Sequence, residues 1–259
     1  MTSSGFSLVK WYLDCVTDSG DVAILYSARL KWHGPSLAHS SLIGVVGESR
    51  TERSSLRSAK IGLDAEMISV DAPQLGLHGV WIAQSAPFER TVFENQQGSV
   101  VWNCLQPSAD VRVIAGGNTW AGRGYAECLT LTLPPWKLPM RHLLWGRFVS
   151  RHDALAWIDW QGPYSMRLVL HNGAEALNPS ISEHEVSCHA ATLRMDEPVS
   201  IRAGRLASTV LPGAPALAGI FPSSIFNIEE RKWRSRGVLR TQRHQSLGWV
   251  IHESVAWNV

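Results

Sequence analysis

Val22-Ala23-Ile24-Leu25-Tyr26-Ser27-Ala28-Arg29-Leu30-Lys31-Trp32 is the stretch that decides the fold. Val22, Ile24, Tyr26, Ala28, Leu30 and Trp32 fall on one side of an extended chain, with Ser27, Arg29 and Lys31 on the other. That period of two marks a half-buried strand. Just before it, Asp18-Ser19-Gly20-Asp21 supplies a turn to an earlier strand around Lys10 to Val16. Further strands are expected over Ser99 to Leu105, Asp110 to Ile114 and Glu127 to Leu133. The second half adds His142 to Ser150, Ala154 to Gln161, and Met166 to Leu170 before the turn pair Asn172-Gly173. Val199 to Arg202, Lys232 to Thr241 and Gly248 to Trp257 complete the set. Helical periodicity is confined to two short candidates, Ser54 to Lys60 (equally readable as a loop) and Ile225 to Arg231. Many short strands between turn signals predict an all-β sandwich or barrel. Leu133-Pro134-Pro135-Trp136-Lys137-Leu138-Pro139 holds three prolines that no central strand accommodates, so the chain is expected to divide there into β domains of 1–133 and 134–259.

Composition bounds the function without naming it. The 259 residues are 45% hydrophobic and 18% charged, which excludes a disordered chain. Twenty-four basic against 22 acidic residues leave a net charge of +2, too little to point to a nucleic-acid partner. Cys15, Cys104, Cys128 and Cys188 are scattered without a CxxC pair, so neither a disulfide framework nor a zinc site is expected. No secretory leader is read at the amino terminus and no apolar run reaches bilayer-spanning length. The expectation is a cytoplasmic protein, with peripheral membrane contact left open through loops and Trp side chains. Twelve Trp outnumber 6 Phe and 4 Tyr together, a preference for large amphipathic plates over plain apolar filler.

Five segments carry candidate chemistry. In Asn118-Thr119-Trp120-Ala121-Gly122-Arg123-Gly124-Tyr125-Ala126-Glu127, preceded by Gly116-Gly117, the glycines match no phosphate-binding fingerprint and read as a turn. Tyr125 and Glu127, two apart, share one face of a strand, so a phenol and a carboxyl address the same pocket and can deliver a proton. The bland alternative is a strand-end Glu127 in solvent or paired with Arg123. His184-Glu185-Val186-Ser187-Cys188-His189 gathers metal-ligand types but reads as a solvated loop. Trp145-Gly146-Arg147 and His252-Glu253 set charges beside tryptophans, where cation–π or capping roles are the default. In Arg231-Lys232-Trp233-Arg234-Ser235-Arg236, strand alternation explains the charge as an outer face more economically than phosphate binding does.

Together these residues resemble the carotenoid hydratases (hydroxyneurosporene synthases) and their lipocalin-like relatives. The resemblance rests on Lys10-Trp11-Tyr12-Leu13-Asp14, on Val100-Val101-Trp102 leading through Pro107-Ser108-Ala109-Asp110-Val111-Arg112-Val113 to Gly122-Arg123-Gly124-Tyr125-Ala126-Glu127, on Leu144-Trp145-Gly146-Arg147, and on Gly248-Trp249-Val250-Ile251-His252-Glu253. It implies two consecutive lipocalin-like antiparallel barrels or half-barrels with few short helices. It also implies chemistry on hydrophobic polyenes or isoprenoids without a redox cofactor. Tocopherol cyclase and twin-barrel Diels–Alderases are more distant relatives of the same kind. Of the family's His-x-Trp and Tyr-x-Asp patterns, Trp102 and Tyr125 are kept, Glu127 replaces Asp, and Val100 stands where the His belongs.

The function expected from the resemblance is acid-initiated chemistry at a C=C bond. Glu127 acts as the acid and Tyr125 orients it, while Trp102, Trp120, Trp145, Arg147 and Trp249 bind the substrate. Without the His base, cyclisation or isomerisation is favoured slightly over hydration. A pericyclase that works by holding a near-attack conformer and a non-catalytic lipid or pigment carrier are the alternatives.

Overall fold

The computed structural model describes residues 5–34, 36–205, 222 and 227–257. They form two compact units, Met1–Lys137 and Leu138–Val259. The first holds β1 (Phe6–Thr17), β2 (Val22–Trp32), β3 (Leu37–Val46), β4 (Ser49–Ser55), β5 (Lys60–Leu63), β6 (Met67–Ala72), β7 (Leu77–Ala83), β8 (Phe88–Asn95), β9 (Gly98–Ala115) and β10 (Asn118–Leu131). Their sheet runs β4-β3-β2-β1-β10-β9-β7-β6-β5, with β8 added on β9. The second holds β11 (His142–Ser150), β12 (Ala154–Gln161), β13 (Met166–His171), β14 (Ala174–Glu175), β15 (Ser180–Ile181), β16 (Glu185–Cys188), β17 (Ala191–Arg205), β18 (Glu229–Thr241) and β19 (Gln245–Ala256). Its order is β14-β13-β12-β11-β19-β18-β17-β16-β15.

The two orders follow one plan. In each unit the first strand pairs with the last, and the two edge strands are consecutive in the chain. Each unit is therefore a curled antiparallel meander, the lipocalin-like half-barrel. Curling closes one face of each sheet around a core. In the first unit that face gathers Leu13, Leu25, Leu42, Val70, Trp81, Val111, Trp120 and Ala126. In the second it gathers Phe148, Leu155, Trp157, Val169, Leu193, Leu239 and Val250.

Several elements are longer than their local pattern suggests. Ser99 to Leu105 and Asp110 to Ile114 are parts of the single strand β9, which continues through Pro107. Proline survives there because the ladder skips it: Gln106 pairs with Ala126 and Ala109 with Gly124, leaving Pro107 and Ser108 unpaired on that side. The glycine-rich segment after Gly116-Gly117 is strand β10 rather than a turn; only Gly116 and Gly117, at φ of 57° and 85°, make the bend. Ser54 to Lys60 is the end of β4, a connection and the first residue of β5, not a helix. Of the helix expected at Ile225 to Arg231, residues 225 and 226 lie outside the described residues, and Glu229 to Arg231 open β18. Glu185–Cys188, expected as loop, is β16, paired with β17.

Candidate functional site

The opposite face of the central strands in the first unit carries the candidate acid and the phenol beside it. On β10, Tyr125 and Glu127 alternate away from the core residue Ala126. Two register shifts between Gly124 and Glu127 set Cys104 of β9 opposite Glu127. Bulges of this kind re-aim side chains, and here Trp102, two residues before Cys104, comes within reach of the same carboxyl. Trp102 Nε1 donates to Glu127 Oε2 at 2.6 Å, and Tyr125 Oη donates to the same oxygen at 2.7 Å. Tyr125 and Cys104 are fully buried and Trp102 is 1% exposed, whereas Glu127 is half-buried. Arg123, the surface partner considered for Glu127, pairs with Asp110 instead at 3.3 Å.

This environment fixes proton positions. Burial, with the Cys104 thiol and the Glu127 carboxylate close by, pushes the Tyr125 phenol well above its ordinary range, so it remains a donor. Burial likewise raises the Cys104 thiol, which stays protonated and un-nucleophilic. Two donors converge on Oε2 and stabilise the carboxylate, which leaves Oε1 as the oxygen open to a proton. Val100 is buried one alternation before Trp102, on the same face, so no imidazole occupies that position.

The remaining expected residues divide between two places. Trp120 lies on the core side of the first unit, over Gly44, with Nε1 donating to Val45 O at 3.4 Å; the sheet separates it from Glu127. Trp145, Arg147 and Trp249 share one face of the second unit, opposite its core. Lys232 Nζ lies 5.1 Å from the Trp145 ring centre and is ion-paired with Glu253. Arg147, fully buried, donates from Nη1 to Trp249 O at 2.9 Å, and the guanidinium groups of Arg234 and Arg236 stack over Trp249 at 5.0 and 4.1 Å. The basic stretch 231–236 is thus not simply a solvated outer face: it alternates as expected, but Lys232 is 1% exposed. A cavity of about 500 Å³ in the first unit, bordered by Glu66, Ile68, Leu105 and Gln106, includes none of Glu127, Tyr125 and Trp102 in its lining. Among the described residues no group of three or more His, Cys, Asp and Glu is placed to hold a metal ion, and no helix is long and apolar enough to cross a membrane.

On the core side of the second unit, His252 stacks on Trp233 with ring centres 5.2 Å apart and shares a hydrogen bond with Ser235 Oγ at 2.9 Å. Burial, then the Lys232 ammonium and His184, push its pKa down from 6.5 to about 4. The unfolded chain therefore binds this proton first as pH falls. Stability contributed by the neutral ring is full above pH 6.5 and is lost as pH drops towards 4. Between pH 7 and 5 the loss is about 2 kcal/mol. Urea unfolding of wild type and His252→Gln at both pH values checks it: the variant's acid-induced loss should be smaller by that amount, and equal losses would refute the assignment.

No protein-family model matches the sequence, and no curated protein matches it. Solved structures do resemble it. A putative AttH from Nitrosomonas europaea aligns at a TM-score of 0.62 and 8% identity, over 98% of this chain and 93% of that one. CghA with Sch210972 aligns at 0.57 and 7%, over 97% and 89%. Kievitone hydratase from Nectria haematococca aligns at 0.54 and 9%, over 99% and 91%. At such identities the likeness is one of architecture: the chain has the fold of these two-barrel, lipocalin-like proteins.

Proposed function

We propose that the protein is an enzyme that starts its reaction by protonating a C=C bond of a hydrophobic isoprenoid or polyene, with Glu127 as the acid. The observation that carries this reading is the convergence of Trp102 Nε1 and Tyr125 Oη on one oxygen of a half-buried carboxyl. Protonating an alkene leaves a carboxylate on the acid. The two donors on Oε2 stabilise that carboxylate as it forms and leave Oε1 as the oxygen that carries the proton to be delivered. The nascent cation needs a surface that tolerates positive charge without trapping it, and a Trp face contributes about 0.5 to 2 kcal/mol. Trp102 supplies such a face next to the acid. The fold is compatible with this reading, since one structure that shares it is named a hydratase.

Incubation with a lipid extract of the source cells in D2O, followed by mass spectrometry, tests the proposal. Acid initiation places one deuterium on carbon in the product. A product formed without deuterium would overturn the reading in favour of a pericyclase, and recovery of an unaltered bound lipid without product would overturn it in favour of a carrier.

A further inference from the structure

A second phenol–carboxyl pair stands beside the first. On β1, Tyr12 Oη donates to Asp14 Oδ2 at 2.8 Å, with the same two-residue spacing as Tyr125 and Glu127. The antiparallel register crosses the pairs: Tyr12 lies opposite Glu127, and Asp14 opposite Tyr125. Directly opposed residues have Cβ atoms about 4.5 to 5.5 Å apart and share a face. The Tyr12 and Tyr125 rings are accordingly 6.1 Å apart, and Tyr26 of β2 closes on Tyr12 from the other side at 5.4 Å. Asp14 is fully buried and Tyr12 is 3% exposed. Burying a carboxyl is costly, and between its fully buried cross-strand neighbours Ile24 and Tyr125 an apolar side chain would meet the packing need.

We propose that Tyr12 accepts the proton that ends the reaction begun by Glu127, with Asp14 as the residue that positions Tyr12 and takes up its phenolic proton. This rests on the reading of Glu127 as the acid. In the first step the Glu127 proton and the alkene π pair form a C–H bond, leaving a cation on the neighbouring carbon and a carboxylate on Glu127. In the second, a C–H bond next to the cationic carbon breaks and its electron pair becomes the new C=C bond. That proton passes to the Tyr12 oxygen as the Tyr12 proton passes to Asp14. A hydrogen adjacent to a carbocation is acidic enough for a phenol oxygen backed by a carboxylate to remove it. Exchange with solvent returns the proton from Asp14 to Glu127, so the cycle consumes none. A site with this second dyad ends the reaction by proton loss, which makes it an isomerase or cyclase of alkenes, not a hydratase. It also accounts for a working site with Val100 in place of a histidine.

The product itself reports the second step. In the D2O assay, wild type should give an isomer or ring with one carbon-bound deuterium and no added oxygen. Tyr12→Phe keeps the ring against Tyr26 and Tyr125 but removes the proton acceptor, and Asp14→Asn removes its partner. In both, the cation should be captured by water, raising the ratio of alcohol to alkene by about 10²-fold, the scale of one general-base contribution. A purely structural role would lower the total rate or the melting temperature and leave that ratio unchanged; an unchanged ratio in a folded Tyr12→Phe protein overturns the inference. Should Asp14→Asn fail to fold, Tyr12→Phe decides alone. A wild-type product that already carries added water would also overturn it while leaving Glu127 as the acid. Wild type that labels nothing defeats the Glu127 reading and this one with it.

Discussion

Glu127→Gln is expected to lower turnover by about 10³-fold while leaving the fold intact, a loss typical of removing a positioned acid. The substitution is close to isosteric. Its amide can keep an oxygen towards Trp102 Nε1 and Tyr125 Oη, which now donate at 2.6 and 2.7 Å to a single carboxyl oxygen. What it cannot do is supply an acidic proton. Binding should therefore survive and the chemical step should not, so the effect should appear in kcat with KM little changed. Trp102→Phe offers the complementary measurement. It removes the indole donor and keeps an aromatic face, so part of the activity should remain. Full deuterium incorporation by Glu127→Gln would end the assignment of the acid, and an equal loss of binding and rate would reassign Glu127 to substrate binding.

Why some of this was legible in the sequence and some was not follows from where each contact lies in the chain. Tyr125 and Glu127 are two apart on one strand, so alternation alone places them together. Trp102 joins them from a neighbouring strand, through two register shifts that no periodicity records. Only the resemblance to a family points to its place. Tyr12 and Asp14 have the same local spacing as Tyr125 and Glu127, and that repetition was available as a signal. Their significance depends on the pairing of β1 with β10, a contact between residues more than a hundred positions apart. Trp120 shows the reverse failure. It lies in the densest motif of the chain, but an odd offset from Glu127 puts it on the other side of the strand, in the core. Alternation within Asn118–Leu131 places Trp120 on the core side, but the glycines on either side of Arg123 hide the strand behind a turn-like composition. The short strands β5, β14 and β15 lack any alternation long enough to detect and owe their conformation to the neighbours they pair with.

The same crowding that brings the two dyads together leaves no room for a side chain at Gly124. A Cβ at Gly124 would lie 1.9 Å from Asp14 O and 2.8 Å from Val111 Cγ2. The first is backbone of the adjacent strand, so no side-chain rotation relieves it. Nor is Asp14 O free to swing away, because Trp81 Nε1 donates to it at 2.8 Å from a ring buried in the core. Gly124→Ala therefore has to push β1 from β10 or break the Trp81 bond, and we expect a loss of at least about 3 kcal/mol, the upper end for overpacking. Urea unfolding measures the loss directly. The displaced segment carries Tyr125 and faces Asp14, so the damage should be visible in the site as well. In the fraction that still folds, the alcohol-to-alkene ratio should rise as it does in Tyr12→Phe, because the crossed register that sets Tyr12 against Glu127 is disturbed. Gly117→Ala provides the contrast: nothing lies within 4 Å of its Cβ position, and its cost is confined to a turn at φ of 85°. It should lose about 1 kcal/mol or a little more, with the product ratio unchanged. Equal losses from the two substitutions would mean that β1 yields easily at Asp14, and the close approach of β1 to β10 would then not be what holds the two phenol–carboxyl pairs in register.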